Sequence, residues 1–395
     1  MATGVPSKLR SKTVGYSLTY PGKMDRDAIV SLPASEPVSV AIATETGQLL
    51  KGDNLATLLW LNQNPEVRGH VRCVYIDPPY ATSMAFVDRD AQHAYDDHLN
   101  GAEYLESLRR RLIVLHELLA DDGSIFVHLD QNMIFEVKLV MDEVFGRKNF
   151  RSFITRKKCN TKNYTRKTFG NVSDHILFYA KTDCNVWHRP YDTWTDEKMS
   201  EEYPYIDEAT GRRFKKVPVH APGTRRGETG KPWRGKLPPH GKHWQYPPAK
   251  LDELDALGEI YWSPNGNPRR KVFFDQSKGI PVQDILMEFK DPHNQNILIT
   301  GYPTEKNFDL VSMLIAATTN PGDLVVDCYC GSGTTLEAAA LLGRRFIGID
   351  LADAAIASTV QRFQSGRSAM GDFVGVRGKR KRTHSPSGFL FPLND

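Results

Sequence analysis

The chain has 395 residues, 40% hydrophobic and 25% charged, with a net charge of +4 and a mean hydropathy of −0.44. These are the figures of an ordinary globular protein, long enough for one domain carrying an insertion or for two domains. No apolar run approaches the roughly 20 residues that span a bilayer, the N-terminus lacks the apolar stretch of a secretory leader, and five cysteines without CxxC spacing exclude a disulfide framework.

In chain order, VRCVYID at 71–77 is a short β-branched and aromatic run that stops at Pro78-Pro79, as a buried strand feeding a loop does. Tyr104, Leu105, Leu108, Leu112, Leu115 and Leu119 recur at helical spacing over 103–119. GSIFVHL at 123–129 predicts a second buried strand, and 133–145 an amphipathic helix closed by Gly146. HILFYAK at 175–181 predicts another strand. From 184 to about 276 the chain is rich in Pro and Gly, basic and aromatic, without sustained periodicity. Order returns with a helix over 308–318, a strand at 324–327, a helix over 334–342 ended by Gly343, a strand at 345–350 and a capped helix over 353–363. The alternation predicts an α/β sheet split around the middle segment; RGKRKRTHSPSG near the end predicts a disordered basic tail over 367–395. No internal repeat is visible.

The small net charge conceals an asymmetry. Residues 151–183 hold eight Lys/Arg against two acids, and 211–250 hold eleven against one, so the remainder is strongly acidic. A charge run alone reads equally well as a solvated face. Five of the six tryptophans, Trp187, Trp194, Trp233, Trp244 and Trp262, lie in or beside this basic middle. Rings among cations suit phosphate neutralisation combined with base stacking.

Two constellations carry chemistry. Asp327-Cys-Tyr-Cys-Gly331-Ser-Gly333-Thr-Thr335 lies between a predicted strand and helix, and Asp350 ends the next strand. Glycines admit a ligand to the backbone, and an acid at the second strand's end suits ribose hydroxyls. Leu336 stands where a dinucleotide fingerprint needs its third glycine, and no GK[ST] makes a phosphate loop, so a ribose-bearing ligand without pyrophosphate fits better. A purely structural tight turn is the competing reading; Cys328 and Cys330 within it read as packing residues rather than metal ligands. The second constellation is Asp77-Pro78-Pro79-Tyr80 at the carboxyl end of a strand, where open α/β sheets place their sites. An exocyclic aromatic amine is a poor nucleophile because its lone pair is delocalised. A carboxylate and a backbone carbonyl accepting its two N–H bonds favour a pyramidal nitrogen. Asp77 and Pro78 offer these groups, and Tyr80 can stack on a base that has left the duplex. An ordinary strand-ending turn is again the alternative. The histidines show neither HExxH nor HxE…CxxC pairing, which gives no support to hydrolytic zinc or deaminase chemistry.

Together, the DPPY tetrapeptide preceding a glycine loop resembles the amino-methylating DNA methyltransferases of the beta arrangement, over roughly residues 50–365 apart from the basic middle. The likeness is greatest to type III modification subunits and related site-specific adenine methyltransferases. GDN at 52–54, TGYPTEK at 300–306 and MDEVFGRKNF at 141–150 are similar to further family segments. Cys328 departs from the family, which often has proline there, and the chain is shorter than typical type III subunits. The resemblance implies a Rossmann-like S-adenosylmethionine-dependent sheet with an inserted target-recognition region. Its parts would be an N-terminal extension at 1–45, a catalytic half at 46–183, the insert at 184–290, a cofactor-binding half at 291–366 and the tail from 367. It implies catalysis by Asp77, Pro78, Pro79 and Tyr80. Cofactor contacts would come from Asp53, Asp77, Thr304, Lys306, Asp327, Tyr329, Gly331, Ser332, Gly333, Thr334 and Asp350. DNA contacts would come from Lys157, Lys158, Arg225, Arg226, Lys231, Trp233, Arg234, Lys242 and Trp244.

The aspartate in DPPY favours N6 of adenine over N4 of cytosine, where the family more often has serine; cytosine stays open as the second target. A binding protein that has lost activity, and a methyltransferase of RNA or of protein glutamine, are the rival classes. Double-stranded DNA is the expected partner, with a homodimer and a restriction subunit implied by the resemblance alone. The expected location is the bacterial or phage-infected cytoplasm, or the nucleus of a eukaryote.

Overall fold

The structure, a computed structural model, describes residues 18–79, 101–160, 167–291 and 305–365, with short strands at 85–87, 93–96, 298–299 and 368–369. Tyr80, Thr304 and the basic tail fall outside the described residues apart from the backbone strand at 368–369. The chain divides into two compact units, residues 191–281 and the remainder.

The larger unit is built on strands β1 (Val38–Val40), β2 (Gly47–Lys51), β3 (Val71–Ile76), β4 (Leu119–Leu129), β5 (Phe150–Lys157) and β6 (Ser173–Ala180). The smaller unit contributes β7 (Tyr205–Ile206), β8 (Arg213–Pro218), β9 (His220–Pro222), β10 (Lys242–Trp244), β11 (Ile260–Trp262) and β12 (Pro268–Phe273). The chain then returns to the first sheet with β13 (Ile285–Leu286), β14 (Leu324–Asp327) and β15 (Arg345–Asp350). The nine-stranded order is β1-β2-β15-β14-β3-β4-β6-β5-β13. β2, β15, β14, β3 and β4 run parallel, and β6 is antiparallel to both its neighbours. This is a Rossmann-like α/β sheet.

Helices cover both faces because the central strands are apolar on both. On one face α2 (Asn54–Leu61), α3 (Gly101–Leu118) and α4 (Ile134–Met141) bury Leu58, Leu112, Leu115 and Val137 against Val74, Ile76 and Val127. On the other, α7 (Phe308–Thr318), α8 (Thr334–Leu341) and α9 (Asp353–Ser365) bury Val311, Ile315, Leu336 and Ile356 against Cys73, Val325 and Phe346. Gly348 lets α8 lie close to β15: a Cβ there would sit 2.3 Å from Leu336 Cδ1.

The smaller compact unit, 191–281, lies inside the 184–290 span expected for the insert. Residues 184–190 and 282–290 pack with the larger unit: the Val186 and His188 amides donate to Asp122 and Ala317 carbonyls, and Trp187 stacks on Phe178. On the return side β13 pairs with β5, and Leu286 and Phe289 are buried in the second core cluster. Within 191–281, β7, β8, β12 and β11 form an antiparallel sheet, with α5 (Asp196–Glu202) and α6 (Pro248–Ala256) beside two-stranded pieces. Its core is Val219, Trp233, Trp244, Leu251, Leu254 and Ile260.

A buried polar row crosses four adjacent strands of the large sheet. Tyr75 Oη lies 2.7 Å from His128 Nδ1, and His128 Nε2 lies 2.9 Å from Asp174 Oδ2. Arg156 holds Asp174 with Nε and Nη2 at 2.8 and 2.5 Å, and its Nη2 also reaches Asp291 at 2.8 Å. Burial alone would raise the Asp174 carboxyl, but His128 and Arg156 hold it well below the usual carboxylate range. Arg156 and His128 are fully inaccessible. Arg156→Met would leave the Asp174 carboxylate buried without its guanidinium, so we expect a loss of about 3–5 kcal/mol in urea unfolding followed by far-UV circular dichroism. A loss under about 1 kcal/mol, the worth of an exposed ion pair, would contradict this role.

Candidate active site

β3 and β14 are parallel neighbours, and their carboxyl ends open onto one crevice. β14 leads through α8 on one face to β15, whereas β3 leads through α3 on the other face to β4. Strand order therefore reverses between them, the place where open α/β sheets bind ligands. Asp77 follows β3, Asp327 ends β14 and Asp350 ends β15.

The glycine loop is tied from several sides. Asp350 accepts from the Gly331 and Ala352 amides at 2.9 and 3.0 Å, and Asp327 accepts from the Tyr329 amide at 2.9 Å. Gly331 and Gly333 have φ of 50° and 76°, a left-handed backbone that favours glycine. A Cβ at Gly333 would also strike Thr359 at 2.8 Å. Thr359 Oγ1 donates to the Gly331 carbonyl at 2.9 Å, and the buried Arg362 donates from Nε to the Ser332 carbonyl at 2.5 Å. Arg362 also binds Glu337 and Glu305, at 2.6 and 2.5 Å.

Ser332 and Thr334 turn their side chains toward Arg362. Both are buried, with their hydroxyls 3.2 and 3.3 Å from Arg362 Nη2. They stabilise the loop from behind and leave its backbone to face the crevice. Tyr329 is partly buried and packs against the first core cluster.

Asp53 caps α2 by accepting from the Ala56 amide at 2.9 Å, keeps about half its side chain exposed and lies 3.7 Å from Arg111. Next to it, Asn54 joins the two halves of the core: its Nδ2 donates to the Cys328 carbonyl at 2.9 Å, and its Oδ1 accepts from Arg111 at 2.5 Å. Asn54, Arg111, Thr359 and Arg362 were not singled out from the sequence. Only Asn54 had a signal there, its place in the GDN turn.

Lys306 Nζ lies 2.9 Å from Asp77 Oδ2, both side chains mostly buried. Asp77, Asp327 and Asp350 thus stand at neighbouring strand ends, with the Lys306 ammonium beside Asp77. Burial, with the nearby Asp77 and Asp350 charges, pushes the Asp327 carboxyl up to about 7, and burial raises Asp350 as well. An acid excess of this kind suits a cationic ligand, and a sulfonium carrying an ammonium group meets that requirement.

Of the residues expected to meet DNA, Trp233 and Trp244 are core. Each is 2% exposed, and Trp233 stacks on Trp262 at 5.1 Å and meets Trp244 edge-on. Their indole N–H groups donate to Asp252 and to the Lys231 carbonyl, both at 2.9 Å. They hold the smaller unit together and have no free face for a base. Arg225, Arg226, Lys231, Arg234 and Lys242 are exposed; Lys231 pairs with Glu228, and Arg234 with Asp252 and Asp255. Lys157 and Lys158 are partly buried, with the Lys158 amide donating to Val172 at 2.9 Å.

The sequence profile of the N6/N4 DNA methylases matches residues 71–361. The type II methyltransferase M.EcaI of Enterobacter cloacae is 47% identical over 374 residues, covering 94% of this chain and 82% of that one. The StyLTI Mod subunit of a type III restriction-modification enzyme of Salmonella typhimurium is 26% identical over 447 residues, covering 95% and 66%. Among solved structures, an S-adenosylmethionine complex of M1.HpyAVI is 16% identical with a TM-score of 0.42, covering 80% of this chain and 99% of that one. The chain belongs to the N6/N4 DNA methylase family, whose members are S-adenosylmethionine-dependent DNA methyltransferases.

Proposed function

We propose that the chain methylates N6 of an adenine flipped out of duplex DNA, within a short recognised sequence. The observation that carries this reading is Asp77, a partly buried carboxylate at the switch-point edge, paired with Lys306 and set beside the strand ends that carry Asp327 and Asp350. Bound S-adenosylmethionine supplies an electrophilic methyl group on sulfur and leaves as the thioether.

The chain's own groups do the rest. Asp77 and the Pro78 carbonyl accept the two N–H bonds of the target amine, which localises its lone pair toward the methyl group. A residue before proline is held extended, which helps to aim this carbonyl outward. As the new N–C bond forms, Asp77 takes the amine's departing proton at a carboxylate oxygen and passes it to solvent. Lys306 holds Asp77 in place beforehand. Tyr80 stacks on the flipped base, offsetting the few kcal/mol that flipping costs. Asp350 receives the ribose hydroxyls, Asp53 meets the cofactor adenine, Tyr329 and the backbone of 331–334 contribute beside them, and Thr304 and Lys306 add the remaining contacts of this reading. Asp327 faces the cationic end.

The names of its relatives support a place in restriction-modification, and the family resemblance adds a restriction endonuclease as counterpart and a homodimer as the working assembly. Residues 191–281 serve as the target-recognition unit, with Arg225, Arg226 and Lys242 among its phosphate contacts and Lys157 and Lys158 contributing from the larger unit.

The test is transfer from labelled S-adenosylmethionine to unmethylated genomic DNA, with the product nucleoside identified by mass. We expect N6-methyladenine from the wild type and a loss of roughly 10²–10⁴-fold in Asp77→Ala, with cofactor affinity nearly unchanged because the lost contact acts on the reacting amine. N4-methylcytosine would replace the target base, and full turnover in Asp77→Ala would overturn the mechanism.

Asp327 adds a pH signature. Free, its carboxyl binds a proton below about 7; a cation bound beside it needs the ionised form. Cofactor affinity should therefore fall as pH drops from 7 toward 5.5, by up to about tenfold per pH unit. Calorimetric titration should show proton release on binding in this window, and Asp327→Asn should flatten both. The ligand-free fold follows the opposite sign: with its pKa above the unfolded value, Asp327 makes stability fall as pH rises toward 7.

A further inference from the structure

The antiparallel sheet of the smaller unit has two faces of opposite character. In register, Phe214 opposes Phe273, Lys216 opposes Lys271, and Pro218 opposes Arg269; Tyr205 opposes Phe214 and Tyr261 opposes Arg269. Side chains alternate along a strand, so Tyr205, Lys216, Lys271, Arg269 and Tyr261 share one face. The other face carries Lys215, Arg270, Ile260 and Trp262. That second face is covered: Trp262 and Ile260 join the Trp233 core under α6, and Lys215 pairs with Glu202 of α5 at 2.5 Å. Both helices are acidic, with Asp196, Glu197, Glu201 and Glu202 on α5, and Asp252, Glu253 and Asp255 on α6. Acid thus gathers on one side of the sheet.

The first face has the reverse balance. Lys216 and Lys271 stand directly opposite each other, an unfavourable placement for like charges. Lys271 is neutralised by the buried Asp207 at 2.5 Å, whose carboxyl this contact lowers. For Lys216 no carboxylate lies within 4 Å among the described residues, which include the whole unit. Its ammonium is instead held between the Tyr205 and Tyr261 rings, 3.6 Å from each centroid. Ring quadrupoles steady a cation without neutralising it. Arg269, beside Tyr261, is exposed and likewise has no acidic partner among the described residues, and Tyr205 is 43% exposed.

We propose that this Tyr205–Lys216–Tyr261–Arg269 face docks on the phosphate backbone of duplex DNA, with the acidic helices turned away from it. The inference rests on the DNA-methyltransferase reading and names the surface through which the smaller unit meets its substrate. Phosphate supplies the counter-charge that Lys216 and Arg269 lack, and the two rings hold the Lys216 ammonium in place before contact. Trp233, Trp244 and Trp262 pack under the opposite face.

The experiment compares Lys216→Gln, Arg269→Gln and their double variant with Lys250→Gln, which removes the same charge from α6 on the opposite side. Binding of a labelled duplex of arbitrary sequence is followed by anisotropy across a salt series, with folding checked by circular dichroism. The salt slope should become shallower by about one for each single variant and about two for the double. KM for DNA should rise with kcat at saturating DNA little changed, and Lys250→Gln should match the wild type. A double variant that folds and keeps the wild-type slope would overturn the proposal, as would an equal loss in Lys250→Gln, which would indicate bulk charge. If the wild type binds DNA with this slope but transfers no methyl group, the activity reading fails and the docking face stands.

Discussion

The parallel pairing of β3 with β14 is the constraint on which the molecule's chemistry depends. One strand comes from the first third of the chain and the other from the last, and their registry places Asp77 and Asp327 at the same edge. Because the crossovers leave to opposite faces, the backbone beyond each strand is free to form a loop. The rest of the site holds this edge open. Asn54 bridges the glycine loop to α3, Arg362 fastens the loop from behind, and Lys306 fixes Asp77. The Tyr75–His128–Asp174–Arg156 row braces the neighbouring strands just below.

The electrostatics of the crevice follow from this convergence. Three carboxylates at neighbouring strand ends repel one another in a poorly solvated place, and the least accessible of them, Asp327, shows the strain as a raised proton affinity. Elsewhere buried charge is compensated: Arg156 has Asp174 and Asp291, and Arg362 has Glu305 and Glu337. Asp77 likewise has Lys306.

The elements legible in the sequence were those whose pattern is local. Val71–Ile76, Leu324–Asp327 and Arg345–Asp350 are apolar runs bounded by loop residues, and α3 and α7 carry clear helical spacing with little ambiguity at their ends. The first half of the sheet was harder: Gly47–Lys51 is polar at one end, and Phe150–Lys157 alternates with basic residues that suggested a nucleic-acid surface. The smaller unit has strands of two to six residues, too short to display a period. The DPPY tetrapeptide and the glycine loop stood out because backbone geometry demands particular residues there. What sequence cannot convey is direction. Ser332 and Thr334 lie in the loop yet point inward to Arg362, and Trp233 and Trp244 sit among cations yet fill a core. Arg362 itself lies on a helix far along the chain from the groups it binds, with no local signal of that task.

At the neck of the smaller unit, the Val282 amide donates to the Pro190 carbonyl at 3.1 Å. The chain therefore leaves the catalytic framework and returns to it at adjacent points, so the framework senses only the short span between two strands. Closing a loop costs only about 0.6 kcal/mol more for each doubling of its length. A segment of different size or fold can then be exchanged at these two points with little penalty to the sheet. On the proposed function, one methyl-transfer framework can in this way carry different recognition segments, with residues 191–281 changing while Asp77, Asp327 and Asp350 stay fixed.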